Sequence, residues 1–295
     1  MKRIEFEVLK SLAEKRDFRP MAEAFGYSKE SVDAVVSGLK NQGMLDGDKV
    51  TQKGFQSLEP YRVKRAVFLA AGFGSRMLPI TINTPKPLVK VHGRRIIESL
   101  IDALLAAEIE DIYIVRGYLG EQFELLTKKY PTIKLVDNPE YNGTGTISSF
   151  YYARKLLEGS YVLESDLLVA NPKIISKYQY SSSFMGIKTT ETDDWFVRAS
   201  TDGRIFEIGV GGKGDGLYKL VGISYWTPED GKKLEKNIQS AYEADGGKSL
   251  PMSYVPIRLY KDNYCVSINP CNSADVVEID SFKELQIIDE SYRVD

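Results

Sequence analysis

The sequence is poor in the residues on which several common kinds of protein chemistry depend. Its 295 residues contain only two cysteines and one histidine, His92. Cys265 and Cys271 lack the spacing of a zinc-binding pair, and structural zinc sites draw on cysteine and histidine. A nucleophilic triad would have to depend on His92 alone. The composition therefore argues against structural zinc and against histidine-based nucleophilic catalysis.

Long apolar runs are also missing. No segment approaches the roughly 20 apolar residues that a membrane span needs. The start, MKRIEFEVLK, lacks the apolar stretch of a signal peptide. The net charge of −2 provides no general attraction to nucleic acid or to an anionic membrane. We therefore expect a cytoplasmic protein without a membrane partner. Its abundant Asp, Glu, Lys, Arg and Gly suit magnesium and phosphate chemistry.

Residues 1–62 differ in pattern from the rest of the chain. RIEFEVLKSLAEK has helical apolar spacing, RPMAEAFG is a short second helix, and Ser28 caps the helix KESVDAVVSGLKNQG. MLDGDKVTQKG follows as a small hairpin that turns at residues 46–48. This order predicts a winged helix-turn-helix domain over 1–62, followed by a second domain over 63–295.

The charge of the predicted N-terminal domain argues against nucleic-acid binding. In residues 1–60, ten Lys and Arg side chains balance ten Asp and Glu side chains. Affinity for DNA comes mainly from the neutralisation of phosphates by Lys and Arg. We therefore expect this domain to serve in packing, dimerisation or regulation, and a second copy of the chain is one partner to consider.

From Arg65 onward the pattern alternates between strands and helices. AVFLA, DIYIVRGY, TIKLVDN and SYVLESD read as strands, and amphipathic helical segments separate them. Such alternation predicts an α/β fold with a parallel, doubly wound sheet. Beyond Ser181, SSFMGIKT, WFVRAS, GRIFEIG and LYKLVGISYW read as further strands, and DSFKELQIIDESY closes the chain as a helix.

The most informative segment is LAAGFGSRMLPITINTPKPLVKVHG, residues 69–93. Gly72 and Gly74 let the backbone approach a ligand closely and leave amide groups free to bind phosphate. Arg76 can grip a phosphate, and prolines on both sides hold Lys86 in an extended loop. The two cations would balance a triphosphate and the charge that builds as pyrophosphate leaves. The segment matches neither a dinucleotide-binding fingerprint nor a P-loop.

Two aspartates complete the predicted chemical centre. Asp166 ends a strand in YVLESD, and Asp280 lies in VVEIDSFKEL. Both could meet over the same sheet edge and hold Mg²⁺. For Asp280 a helix N-cap is the alternative, because Ser281 and Glu284 have capping-box spacing.

Taken together, GFGSR, KPL, GYLGEQFELL, ETDDWF, GISYW and EIDSFKEL resemble the sugar-phosphate nucleotidyltransferases, and within them the bacterial CTP:phosphocholine cytidylyltransferases. The resemblance covers residues 65–295 and implies a Rossmann-like mixed, mainly parallel sheet. It implies that Arg76 and Lys86 act on the triphosphate and that Asp166 and Asp280 hold magnesium. The nucleotide side implied is Leu69, Ala70, Ala71, Gly72, Gly74, Ser75, Tyr118, Thr144, Gly145 and Thr146.

The resemblance also implies how the acceptor is bound. Trp195 would stack on a choline ammonium, because a quaternary ammonium binds ring faces and nearby carboxylates. Asp194, Tyr225 and Tyr254 would complete the acceptor site. The expected reaction is CMP transfer from CTP to phosphocholine. The alternatives are 2-aminoethylphosphonate or a sugar 1-phosphate as acceptor, UTP or dTTP as donor, and a transcriptional regulator that senses a nucleotide through a degenerate transferase domain.

Overall fold

A computed structural model describes residues 1–19 and 26–293. Its N-terminal elements are helix α1 (Arg3–Ala13), helix α2 (Lys29–Asn41), the hairpin strands β1 (Leu45–Asp46) and β2 (Lys49–Val50), and helix α3 (Gln52–Leu58). Ser28 accepts the capping hydrogen bond of α2 as predicted. The predicted second helix falls on residues 20–25, outside the described residues. The winged helix-turn-helix assignment therefore stays a prediction.

The larger part of the chain begins with strand β3 (Arg65–Ala70) and the short pair β4 (Lys90–Val91) and β5 (Arg94–Arg95). Helix α4 (Ile96–Ala106), β6 (Ile112–Arg116), helix α5 (Glu124–Lys129), β7 (Ile133–Asp137), helix α6 (Ile147–Ala153) and β8 (Ser160–Glu164) continue the alternation. The remaining elements are β9 (Leu167–Val169), β10 (Ser183–Ala199), β11 (Ile205–Trp226), helix α7 (Pro228–Glu243), β12 (Ser267–Cys271), β13 (Val276–Glu278) and helix α8 (Phe282–Ile288).

The central sheet has seven strands in the order β12-β10-β11-β8-β3-β6-β7. β3 runs parallel to both β6 and β8, and β7 runs parallel to β6. β11 is antiparallel to its neighbours β8 and β10. The sheet is thus mixed and mainly parallel, which confirms the predicted α/β class. The carboxyl ends of β3 and β8 lie side by side, at the edge where ligands bind in open α/β sheets.

Alternating side chains of β3 fill two cores on opposite faces of the sheet. Phe68 packs with the α4 side chains Leu100 and Leu104 on one face. Val67 points to the other face, where Phe150 of α6 and neighbouring side chains of α7 cover the sheet. Because both faces are buried, β3 reads as a nearly continuous apolar run.

The later strands are longer than the segments that predicted them. SSFMGIKT and WFVRAS belong to a single strand, β10, and GRIFEIG and LYKLVGISYW belong to β11. The pairing of β10 with β11 contains repeated register shifts, and the glycine-rich stretch 209–216 lies within β11. Bulges bend a strand without ending it, so this glycine-rich stretch lies inside one long hairpin.

The N-terminal elements pack closely on the rest of the chain. The Phe6 ring lies 4.8 Å from the ring of Tyr61 and 5.3 Å from that of Tyr180, measured between centroids. Glu14 accepts hydrogen bonds from Ser176 and from the Lys177 amide. The apolar cluster that fills the N-terminal elements therefore takes in side chains from both sides of residue 62. Within the described residues, no helix is both long and apolar enough to cross a membrane.

Candidate active site

The glycine-rich loop after β3 lies against the segment that carries Lys86. Gly74 has a left-handed φ of 63°, and a Cβ at this residue would lie 2.9 Å from the Lys86 Cβ. Glycine is therefore required both by the backbone angle and by the close approach. A Cβ on Gly72 would meet nothing within 4 Å, so the backbone there is open to a ligand.

The structure brings Arg76 and Lys86 together with two aspartates that lie far from them in the sequence. The Lys86 Nζ lies 2.5 Å from the Asp166 Oδ2 and 2.9 Å from the Asp280 Oδ1. The Arg76 Nη2 donates to the same Asp280 oxygen at 2.7 Å. Lys86 begins a short 3₁₀ turn rather than an extended loop. Its side chain is only 12% exposed, whereas that of Arg76 is 70% exposed and accessible to a ligand.

These ion pairs control the protonation of the centre. Burial disfavours the charged form of Lys86, but the carboxylates of Asp166 and Asp280 outweigh burial and raise the pKa of Lys86 above its ordinary value. Burial also acts to raise the pKa of Asp280, but hydrogen bonding and attraction to Lys86 together lower that pKa. Lys86 and Asp280 are therefore both charged at neutral pH.

Two glutamates that the sequence analysis missed extend the centre. One carboxylate oxygen each of Glu164, Asp166 and Glu278 could bind a metal ion, and these three oxygens all lie within 4.8 Å of one another. Glu164 and Asp166 are two residues apart at the end of β8, and Glu278 and Asp280 are two residues apart at the end of β13. That spacing places side chains on one face of an extended segment, and it is the signal that could have identified both glutamates.

The two glutamates are crowded by negative charge. Desolvation by the surrounding atoms, followed by repulsion from Asp166 and Asp280, raises the pKa of Glu164 above its ordinary value. The same causes raise the pKa of Glu278 to about 8. A cation bound among the carboxylates would relieve this repulsion.

The carboxylate group fits the predicted divalent ion. Hard oxygen ligands are those that Mg²⁺ prefers. The Oδ1 of Asp166 is buried and, within residues 1–19 and 26–293, has no hydrogen-bond partner, so it is an acceptor without a donor. Glu164, Asp166 and Glu278 form the closest set of oxygens, whereas the predicted ligand Asp280 is held by Lys86 and Arg76.

The cap alternative for Asp280 was wrong. Ser281 is the N-cap of α8, and its hydroxyl accepts a hydrogen bond from the Glu284 amide. The Glu284 side chain accepts from the Ser281 amide in return, which completes the capping box. The Asp280 side chain therefore does not cap α8 and instead forms ion pairs with Lys86 and Arg76.

Several of the predicted nucleotide residues lie in the glycine-rich loop or against it. Ala70 and Ala71 are buried, and the Ala71 carbonyl accepts from the Tyr118 amide. The Tyr118 hydroxyl donates to the carbonyls of Thr81 and Ile82 and so fixes the segment that follows the loop. Ser75 begins the 3₁₀ turn that carries Arg76.

The predicted segment 144–146 directly precedes helix α6. The Thr144 hydroxyl donates to the Glu140 carbonyl, and the Gly145 amide donates to the Lys248 carbonyl. Thr146, predicted on the nucleotide side, lines a neighbouring cavity together with Leu69.

That neighbouring cavity has a volume of about 170 Å³, and two of the four predicted acceptor residues line it. Trp195 and Asp194 line it, and Tyr254 packs edge-on against Trp195 at 5.5 Å between ring centroids. Glu164 and Glu278 line it as well, so the cavity opens directly onto the acidic group. The Asp194 carboxylate is paired with Lys219 at 3.0 Å.

The structure contradicts the assignment of Tyr225 to the acceptor site. Its side chain is 2% exposed and packs against Tyr161 in the main core. Neighbouring side chains alternate across a strand, and it is Ser224 that faces the cavity.

Comparison with known proteins identifies the class of this enzyme. Residues 65–196 match the nucleotidyl transferase family. A 2-aminoethylphosphonate cytidylyltransferase from Lancefieldella rimae is 37% identical over 230 residues, which cover 77% of this chain and 92% of that protein. This chain therefore belongs to the nucleotidyl transferase family and is a nucleotidyltransferase enzyme.

Further relatives show which members of the family this chain resembles. A choline-phosphate cytidylyltransferase from Haemophilus influenzae is 31% identical over 227 residues, which cover 74% of this chain and 93% of that protein. The solved structure of a CTP:phosphocholine cytidylyltransferase from Streptococcus pneumoniae has a TM-score of 0.72 at 30% identity. The matched region covers 79% of this chain and 100% of the Streptococcus pneumoniae chain. The relatives named here are all cytidylyltransferases.

Proposed function

We propose that this enzyme transfers CMP from CTP to a small acceptor that carries a phosphate or phosphonate at one end and a cationic nitrogen at the other. The observation that carries the proposal is that Glu164 and Glu278 belong both to the acidic group beside Lys86 and to the wall of the Trp195 cavity. A phosphorus-bearing end beside Lys86 and a cationic end beside Trp195 would fit this arrangement. The names of the cytidylyltransferase relatives support CTP as the donor.

The reaction needs no covalent enzyme intermediate. An oxygen of the acceptor attacks the α-phosphorus of CTP and forms a new P–O bond. The bond to the oxygen that bridges to the β-phosphate breaks in line, and its electrons leave with pyrophosphate. Lys86 and Arg76 would offset the charge that develops, and the amides around Gly72 and Gly74 would hold the phosphates.

Magnesium fits as the cofactor of this proposal. Asp166, with Glu164 and Glu278 nearest to it and Asp280 beside it, would hold the ion. When bound, Mg²⁺ neutralises phosphate charge and orients the reacting oxygens. Lys86 already holds Asp166 and Asp280 in fixed positions, so the protein side chains are organised before any ligand arrives.

Two acceptors fit the cavity, each for a different reason. Phosphocholine is the first, because the Trp195 ring suits a quaternary ammonium, which cannot donate hydrogen bonds. 2-Aminoethylphosphonate is the second, because a primary ammonium donates to carboxylates, and Glu164, Asp194 and Glu278 all line the cavity. The 37% identical relative carries this second acceptor in its name.

Pyrophosphate release tests the proposal. The full chain is mixed with Mg²⁺ and CTP, UTP or dTTP, and with phosphocholine, 2-aminoethylphosphonate or glucose 1-phosphate. We expect turnover with CTP and a cationic acceptor, and none with glucose 1-phosphate. Turnover with the sugar phosphate alone, or the same rate with all three nucleotides, would contradict the proposal.

A further inference from the structure

A segment that we name the strap, residues 246–254, joins the predicted nucleotide side to the acceptor cavity. Its first residues are anchored outside the cavity. A Cβ on Gly247 would lie 1.8 Å from the Ala241 carbonyl oxygen, so α7 and the strap are in direct backbone contact. The Lys248 ammonium forms an ion pair with Glu140, and Tyr152 donates to the same carboxylate at 2.8 Å.

The middle of the strap is bonded to the 144–147 segment. The Gly145 amide donates to the Lys248 carbonyl at 2.7 Å, and the Met252 amide donates to the Thr146 hydroxyl at 3.2 Å. A Cβ on Gly145 would lie 2.7 Å from the Leu250 carbonyl oxygen, nearer than real Cβ atoms approach. The two segments therefore touch backbone to backbone and cannot move independently.

The end of the strap forms part of the acceptor site. Pro251, Met252 and Ser253 line the cavity. Tyr254 supports the Trp195 ring from its edge. A continuous set of contacts thus runs from Gly145 through the strap to Trp195.

We propose that the strap couples the two substrates, and that Glu140, Gly145 and Lys248 are positioning residues for the acceptor. This inference rests on the proposed function and on the predicted placement of segment 144–146 on the nucleotide side. A nucleotide that fixes segment 144–146 also fixes the strap, so the acceptor then binds to a wall that is already ordered. Coupling between two sites is reciprocal, so the acceptor strengthens nucleotide binding by the same factor.

The Glu140–Lys248 pair is the place to interrupt the coupling without touching either substrate. Hydrogen bonding to Lys248, and then to Tyr152, lowers the pKa of Glu140 to about 2, so the pair is charged at all physiological pH values. Both side chains are outside the cavity and partly open to solvent. Exposed ion pairs are weak, so we expect about a threefold to fivefold effect rather than loss of function.

Titration calorimetry on the full chain tests the coupling. The affinity for the better acceptor is measured with Mg²⁺, without nucleotide and then with a CTP analogue whose α,β-bridge is a methylene. We expect the analogue to strengthen acceptor binding about tenfold, within the usual range for coupled sites. Lys248→Met and Glu140→Gln should each reduce that factor about threefold to fivefold and leave analogue binding alone unchanged.

Matched variants separate positioning from general destabilisation. Lys248→Arg should retain the coupling, and the double variant should be no worse than either single change, because both remove one interaction. Lys236→Met changes an exposed lysine of α7 and should behave as wild type. Gly145→Ala should abolish the coupling if the variant folds.

The outcomes that overturn the inference are distinct from those that overturn the proposed function. A wild-type enzyme without coupling contradicts the inference, and so does coupling that Lys248→Met and Glu140→Gln leave intact. An equal loss of acceptor affinity with and without the analogue would indicate a merely structural role and would also contradict it. Failure of the wild type to bind any cationic acceptor, or to turn over CTP, would instead reject the proposed function.

Discussion

The N-terminal elements and the proposed catalytic edge of the sheet, where Lys86 meets Asp166 and Asp280, use charge in opposite ways. Residues 1–60 balance ten cationic against ten anionic side chains, and rings such as Phe6 and Tyr180 join these elements to the rest of the chain. At the catalytic edge, Lys86 is largely buried among carboxylates. The Oδ1 of Asp166 can accept a hydrogen bond, but the described part of the chain provides no donor for it. Buried charge is costly, so its concentration at one edge marks the place where ligands complete the site.

Because of this difference, we expect the N-terminal elements and the catalytic edge to respond differently to substitution. Changes at the catalytic edge should affect turnover with little effect on stability. Changes at the N-terminal contacts should do the reverse.

The largest effect is expected from Lys86→Ala. The variant loses the cation that would face the triphosphate, and turnover should fall about two orders of magnitude, as for a lost transition-state donor. Steady-state pyrophosphate release measures the change, and Lys90→Ala, an exposed lysine of β4, is the control. Near-normal turnover of Lys86→Ala in a folded protein would remove Lys86 from the catalytic centre.

The carboxylates should give the next largest effect. Asp166→Asn and Asp280→Asn should each raise the Mg²⁺ concentration needed for half-maximal rate and slow turnover, because an amide loses the charge that attracts the ion. Ser281→Ala is the matched control, since it removes only the α8 cap and should cost about 1 kcal/mol of stability. If Asp280→Asn behaves like Ser281→Ala, the assignment of Asp280 to the magnesium centre is wrong.

Changes at the acceptor end should alter affinity more than turnover. For a quaternary ammonium, a desolvated ring contact is worth about 2 kcal/mol, so Trp195→Ala should raise the acceptor KM roughly 30-fold and leave the KM of CTP nearly unchanged. Trp195→Phe should recover much of the loss, and Asp194→Asn should cost less. For a primary ammonium the order should reverse, with Asp194→Asn the more harmful. Small, equal effects on both acceptors would place neither residue in the site.

The N-terminal contacts should have no effect on catalysis. Phe6→Ala removes a fully buried ring and should lower the free energy of unfolding by about 3–5 kcal/mol. The kcat of the folded variant should remain that of the wild type, as measured below its unfolding transition. A lowered kcat in fully folded protein would show that the N-terminal elements take part in catalysis and would break the comparison.

The smallest expected signal is DNA binding by the full chain. Helix α2, which would be the recognition helix of a winged helix-turn-helix domain, exposes Lys29 and Lys40 but also Glu30 and Asp33. Such a face offers little net charge for phosphate contacts. Fluorescence anisotropy at physiological salt should show no tight complex, whereas sub-micromolar, sequence-selective binding would contradict the charge argument.

Local signals made the phosphate side of the site predictable. The strand, glycine-rich loop and Lys86 lie within one short segment, so their order along the chain constrains their geometry. Asp166 was predictable because it follows a parallel strand at the edge where ligands bind. The missed glutamates Glu164 and Glu278 have the period-two spacing of a shared face, but only the packing of β9 against β13 brings the two pairs together.

The acceptor side was less predictable, because the sequence of a strand that is buried on both faces does not show which side chains point to which face. β11 is apolar on both faces near its end, so the alternation in GISYW does not reveal which side chain faces the cavity. The structure turns Ser224 toward the cavity and Tyr225 into the core. The role of Gly145 was equally hidden, since its need to lack a Cβ arises from the strap about a hundred residues further along.

Transfer of label from CTP tests the central claim most directly. The enzyme is incubated with Mg²⁺, the better cationic acceptor and CTP that carries ³²P at either the α- or the γ-phosphorus. Direct in-line transfer predicts that the α-label appears in the cytidylylated acceptor and the γ-label in pyrophosphate, with no label on the denatured protein. An α-label retained on the protein, or γ-label in the acceptor product, would contradict the account.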